Sequence, residues 1–333
     1  MRERNQALTA TQRVAAVGAR ALLDLSSRRG QLAILTYHRV LDAADPLQPL
    51  QFDRRSFESQ MEVLSRIAVP LPLLEAVGRL RDGKLPPRAV CVTFDDGYAD
   101  TLTNALPILR RHGVPATLFV TEGLLDGGLQ WSDAVIEAVR ALPEGDYAFP
   151  WLREPQRAVG PTATRAGLVR ELLLALKYLA PEDRRRATDA LAHTAGAVLP
   201  RSLMLRRADL SRLRDGGFEI GAHTLSHPIL ARLDDAAAWR EIADSRQRLQ
   251  ELLGSPVTSF AYPNGRPAKD YDRRHLDMVR RAGYTCAVST AWGVARRGSD
   301  VYQLPRMGLW PCTPIALMKR LVAAQFAPPA AAA

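Results

Sequence analysis

Seven short apolar runs punctuate the chain: "LAILTYH" (32–38), "AVCVTF" (89–94), "ATLFVT" (116–121), "FEIGAHT" (218–224), "TSFAYP" (258–263), "YTCAVST" (284–290) and "YQLPRMGL" (302–309). They are rich in Val, Ile, Phe and Tyr, which is the pattern of buried strands. Between them apolar residues recur at helical spacing, as in Phe57, Met61 and Leu64, or Trp239, Ile242, Leu249, Leu252 and Leu253. Met278 and Val279 belong to a short helix that ends near Gly283. Gly113 and Gly254 stand where helix C-terminal glycines are expected. Strands alternating with helices predict an α/β fold with a parallel sheet. About seven such units can close into a distorted (β/α) barrel, and the pattern alone also leaves room for an open doubly wound sheet.

The rhythm breaks between about residues 127 and 215. There "WSDAVIEAVRAL", "VRELLLALKYLAPEDRRRATDALAHTAG" and "LRRADLSRLRDGG" read as a mainly helical insertion, with a loop or small hairpin at "PEGDYAFPWLREPQ". The expected organisation is a helical, amphipathic segment over 1–30, one catalytic-type domain over 31–325 that contains this insertion, and a low-complexity, disordered tail over 326–333.

Composition adds limits. With 333 residues, 47% hydrophobic and 24% charged, the chain has the balance of a globular protein with a large core. A net charge of +10 favours an acidic partner. The arginines are scattered, however, and there is no zinc-finger spacing, RNA-binding aromatic motif or long basic block, so nucleic acid is not the expected partner. Cys91, Cys286 and Cys312 form no CxxC pair and suggest no disulfide framework. The first 30 residues lack the uninterrupted apolar core of a signal peptide, because Arg13, Arg20 and Asp24 interrupt it. No run reaches the roughly 18–20 apolar residues of a membrane span. Residues 12–25 fit a basic amphipathic helix, packed on the domain or lying on a membrane. The expected location is cytoplasmic, or peripheral at the inner membrane.

Three strand ends carry chemistry. Asp95 and Asp96 follow "AVCVTF" at the end of a strand where α/β enzymes place their sites. A bound cation would offset the repulsion between adjacent carboxylates. His223 and His227 in "GAHTLSH" follow a second strand, four residues apart, and neutral imidazoles suit zinc and related metals. They converge if the chain turns helical between them. "SFAYPNG" is a third strand running into a turn, whose backbone N–H groups after Pro263 could face a developing oxyanion.

"TFDDGY", "HTLSH" and "FAYPNG", in this order, resemble the first three motifs of the NodB-homology polysaccharide deacetylases, carbohydrate esterase family 4. "LTYHRV" and "LPRMGL" are similar to flanking segments of that family, so the resemblance spans about 31–310. It implies a distorted barrel and a divalent metal, usually zinc, with cobalt, nickel or manganese as alternatives. It assigns Asp96, His223 and His227 as metal ligands and Asp95 as the general base for the attacking water. A backbone N–H near Asn264 would help to hold the oxyanion, with Tyr262 and His38 as further site candidates. The implied activity is removal of N-acetyl or other short acyl groups from amino sugars of a polysaccharide or lipid-linked precursor, in exopolysaccharide biosynthesis, and the implied partner is an N-acetylated glycan.

Two positions depart from the pattern. Ala261 stands where many members carry an arginine that orients the base, and the late Leu-x-x-His motif ends here in Met307, with Arg306 beside it. Arg306 is expected to steady Asp95 or to bind substrate, since a guanidinium does not readily donate a proton. These departures support the alternative of a catalytically weakened glycan-binding or assembly protein that keeps the barrel.

Overall fold

The computed structural model of the chain describes residues 9–27, 30–328, 330, 332 and 333. The expectations for the first eight residues, for 28–29 and for two positions of the tail therefore lie outside the described residues.

Every one of the seven apolar runs contributes to one curled, mostly parallel sheet. The strands are β1 (Gln31–Tyr37), β2 (Ala89–Phe94), β3 (Ala116–Val120), β4 (Phe218–Ala222), β5 (Ser259–Ala261), β6 (Cys286–Val288) and β7 (Met307–Gly308). They lie in the order β6-β5-β4-β3-β2-β1, and β7 pairs in parallel with the other side of β1. Leu304 bridges to Val288 of β6, so residues 304–308 join the two ends of the sheet. The result is the incomplete (β/α) barrel that the alternation predicts. It is not an open doubly wound sheet, because the first and last strands share this one segment. β1 and β2 are buried along their whole length, as strands inside a helix-covered barrel must be.

Helices α2 (Arg54–Ile67), α3 (Leu73–Arg81), α4 (Leu106–His112), α8 (Asp209–Asp215), α9 (Asp235–Leu253), α10 (Arg273–Arg281) and α11 (Pro314–Phe326) accompany the strands. Local chemistry sets their ends. Asp53 and Asp272 form capping boxes at the starts of α2 and α10, and Gly113 and Gly254 end α4 and α9 in the left-handed region.

α5 (Trp131–Ala141), a hairpin (Gly145–Ala148 with Gln156–Val159), α6 (Ala166–Leu176) and α7 (Pro181–Thr194) build a second apolar core around Val135, Val139, Leu172 and Leu191. α1 (Ala10–Ser27) lays Ala19 and Leu23 into the main core and turns Val14, Val17, Leu22 and Leu25 outward. Its one acid, Asp24, pairs with Arg88 at 2.9 Å. No helix among the described residues is long and apolar enough to cross a membrane.

Candidate metal centre and active site

The site begins where β2 stops. The Asp95 N–H donates to the Tyr37 carbonyl at 3.1 Å, which keeps this residue in step with β1. Asp96 then takes φ 75° and Gly97 φ 98°. A non-glycine residue in the left-handed region costs about 1 kcal/mol or more. Here the turn lets the adjacent carboxylates serve different partners.

Asp95 faces Arg306. The guanidinium grips both carboxylate oxygens at 2.7 Å each, and donates to Thr93 Oγ1 at 3.1 Å and to the Ser289 carbonyl at 3.0 Å. Both residues are almost fully buried. Burial alone would raise the Asp95 carboxyl, but the charge and hydrogen bonds of Arg306, together with His223 and His38, outweigh it and hold the group well below the usual carboxylate range. With Ala261 in place, a guanidinium nonetheless reaches Asp95, carried in on the segment that closes the barrel.

Asp96 faces the histidines. Its Oδ1 lies 3.7 Å from His223 Nε2 and 3.3 Å from His227 Nε2, and one ligand atom from each of the three residues falls within 4.8 Å of the others. The two histidines do not meet across a helical turn. Thr224 and His227 both adopt positive φ, 66° and 58°, so a tight loop brings the rings to 4.9 Å between centroids. The loop is held from outside. Glu241 of α9 accepts from Leu225 N, Ser226 N and Ser226 Oγ, and the Gly123 N–H donates to the Leu225 carbonyl at 2.8 Å. A Cβ on Gly123 would lie 2.6 Å from that oxygen, so glycine is required for the approach.

This set fits a divalent metal. His223 Nδ1 lies 2.7 Å from the Ala261 carbonyl, so Nδ1 carries the proton and Nε2 presents a lone pair. Burial pushes both imidazoles down to about 4, which leaves them neutral near pH 7. Burial also raises the Asp96 carboxyl, whose side-chain partner is an uncharged amide, Gln130 Nε2 at 3.0 Å. His227 Nδ1 is buried with no hydrogen-bond partner among the described residues. A buried carboxylate and two imidazole lone pairs that converge are the donor set of a metal site.

The other predicted residues divide. His38 Nε2 stands 4.0 Å from Asp95 Oδ2 with its side chain 45% exposed, at the open side of the site. Asn264 takes φ 59° in a turn pinned by Thr290, whose hydroxyl donates to the Asn264 carbonyl at 2.6 Å. Tyr262 does not join them. Its ring is buried against Tyr271 at 3.9 Å, its hydroxyl donates to the Tyr302 carbonyl, and its N–H is taken by Val288 O. Gln130 has no sequence signal, because it is simply the residue before α5. A buried network behind it, in which Tyr98 donates to Asp133 and Arg39 binds Asp100, was equally unmarked.

Comparison with known proteins agrees with this geometry. The family model described as polysaccharide deacetylase matches residues 82–144 and 184–287. YxkH of Bacillus subtilis is 20% identical over 288 residues, 86% of this chain and 74% of that one. The poly-beta-1,6-N-acetyl-D-glucosamine N-deacetylase of Staphylococcus aureus is 31% identical over 112 residues, 30% of this chain and 39% of that protein. Among solved structures, the Streptococcus pyogenes deacetylase PplD in complex with acetate shares the fold, with a TM-score of 0.61 at 20% identity over 87% of this chain and 98% of that one. The chain belongs to the polysaccharide deacetylase family, and is a hydrolase of that kind.

Proposed function

We propose that the protein hydrolyses N-acetyl groups from the amino sugars of a glycan, with Asp95 as base and a metal on Asp96, His223 and His227. The observation that carries this reading is the division of labour at one strand end, where Asp95 is gripped by Arg306 and Asp96 converges with two neutral imidazoles. A divalent cation in that set, zinc being the first expectation, supplies Lewis acidity toward water and the acyl carbonyl. Asp95, held ionised by Arg306, accepts the proton of the attacking water. The Asn264 N–H, which has no hydrogen-bond partner among the described residues, is the backbone donor for the oxyanion. Arg306 cannot protonate the leaving nitrogen, since a guanidinium stays charged. His38 is the imidazole beside Asp95 that faces solvent, and we assign it that proton. The C–N bond then breaks to give acetate and the free amine.

Acetate release from N-acetylglucosamine oligomers, with and without zinc or cobalt, tests this. Metal-dependent release should vanish in Asp95→Asn and His223→Ala. In His38→Gln, kcat should fall about 100-fold or more with KM little changed. A wild-type protein that binds no divalent metal would sink the assignment, and full activity in His38→Gln would remove the proton donor from it.

The outer face of α1 gives the membrane expectation a surface. Val14, Val17, Leu22 and Leu25 are exposed, Arg13 and Arg20 lie alongside, and Asp24 is occupied by Arg88. This composition suits an anionic bilayer. Flotation with phosphatidylglycerol vesicles should be lost in Val17→Ser/Leu25→Ser, and absence of flotation in the wild type would refute the contact.

A further inference from the structure

A second cluster near the site plays no part in the chemistry above. Lys177 and Tyr178 follow α6, Arg232 lies five residues beyond His227, and Lys269 lies five beyond Asn264. The three cations meet on one ring. Lys269 Nζ is 4.5 Å from the Tyr178 centroid, Lys177 Nζ 5.5 Å and Arg232 Cζ 5.7 Å. Two of the three segments are loops that leave the C-terminal ends of β4 and β5, the end that carries Asp96 and the histidines. They are tied together where the Ala231 N–H donates to the Asp270 carbonyl at 3.0 Å.

The charge of this cluster is not neutralised by contact. Asp270 is buried beneath it, and its carboxylate takes the Tyr178 hydroxyl at 3.4 Å and the Arg266 N–H at 3.1 Å. Among the described residues no carboxylate lies within 4.0 Å of Lys177, Arg232 or Lys269, whereas Arg185 and Arg186 on the adjoining α7 are both ion-paired. Like charges gathered on one ring repel unless an anion joins them. The mouth is close. The Lys177 carbonyl accepts from Arg184 at 3.1 Å, the Arg184 guanidinium lies 5.0 Å from the Trp131 ring, and Gln130, next in the chain to Trp131, donates to Asp96. Lys177 and Tyr178 also fall in the stretch between the two blocks that match the family.

We propose that Lys177, Arg232 and Lys269, arrayed on Tyr178, form a subsite for an anionic substituent, carboxylate or phosphate, on the glycan beside the sugar being deacetylated. The proposal rests on the deacetylase reading for the place of the reacting sugar. Cations on an aromatic ring keep their outward N–H groups for the ligand, and charge-assisted bonds to carboxylate or phosphate are the strong class.

The test compares three probes by calorimetry on the full chain carrying Asp95→Asn, so that binding is read without turnover. They are an N-acetylheparosan tetrasaccharide, neutral chitotetraose and N-acetylglucosamine 1-phosphate. At least one acidic probe should bind about tenfold or more tighter than the neutral one, and Lys177→Gln/Lys269→Gln should erase that difference. Tighter binding of the tetrasaccharide identifies a carboxylate, and tighter binding of the sugar phosphate identifies a phosphate. Equal affinity for all three, or a preference that survives the double substitution, overturns the subsite. Acetate release by the active chain separates the two readings. Release from chitotetraose with no acidic preference leaves the enzyme standing without the subsite. A preference erased by Lys177→Gln/Lys269→Gln, with no release from any probe, leaves the subsite standing and counts against the deacetylase reading.

Discussion

Replacing Arg306 by methionine removes the guanidinium and keeps much of the side-chain volume. The structure sets the size of the effect. Four hydrogen bonds disappear, two of them to a carboxylate that is 2% exposed. The neighbouring polar side chains do not replace them, because His38 stands 4.0 Å off on the solvent side and Thr93 already donates to the Leu35 carbonyl. Breaking one side of a buried pair costs about 3–5 kcal/mol, mostly from the charge left behind. Arg306→Met should therefore lose that much stability in urea titrations followed by tryptophan fluorescence, run in chelator so that metal linkage is absent from both proteins. Adding Asp95→Asn should return about 1–3 kcal/mol, because the stranded charge is gone. Arg306→Lys should fall between, since an ammonium cannot bridge both oxygens in a fork. A loss under about 1 kcal/mol in Arg306→Met, or no recovery in the double variant, would refute the claim that this pair is a buried, mutually dependent unit.

Asp133 gives a pH signature. Burial pushes its carboxyl up to about 7, with Asp96 and Glu137 adding to the rise and Arg39 and Tyr98 opposing it. The folded chain thus keeps a proton that the unfolded chain loses near pH 4, so stability should fall as pH rises from about 4 to 7, by about 4 kcal/mol at most. Asp133→Asn should flatten that slope in urea midpoints measured at pH 5 and 8, and an unchanged slope would assign it to another group. His227→Ala removes one of three converging ligand atoms. Calorimetric zinc affinity should drop about 100-fold or more, and an unchanged affinity would place the metal elsewhere. Gln130→Leu deletes the amide on Asp96 Oδ1 and should weaken zinc binding about 10- to 100-fold while the fold persists by circular dichroism. Wild-type affinity in that variant would make the amide incidental.

The strands were legible because burial on both faces leaves a continuous apolar run, and all seven such runs entered the sheet. The convergence of Asp96, His223 and His227 was legible because these residues sit at strand ends in short motifs. What binds across distance was less visible. The sequence pattern offered Arg306 as a residue to steady Asp95 or to bind substrate, and a contact spanning 211 positions settled which group it grips. The convergence of His223 and His227 looked helical on spacing alone, yet left-handed residues at 224 and 227 achieve it in a loop, since the ring positions depend on φ values that spacing does not encode. Tyr262 shared its segment with Asn264, but its ring stacks on Tyr271 in the core, whereas Asn264 lies in the turn beyond it at φ 59°. Gln130 stayed hidden because a lone glutamine before a helix carries no pattern at all.

The segment that joins β6 to β1 also carries Arg306. During synthesis Asp95, Asp96, His223 and His227 all leave the ribosome before it. A chain ending short of residue 306 leaves Asp95 without its guanidinium and the first strand without its last neighbour. On the proposed mechanism, the last segment to arrive both closes the ring and arms the base. Turnover, on this account, reports that the whole barrel has closed.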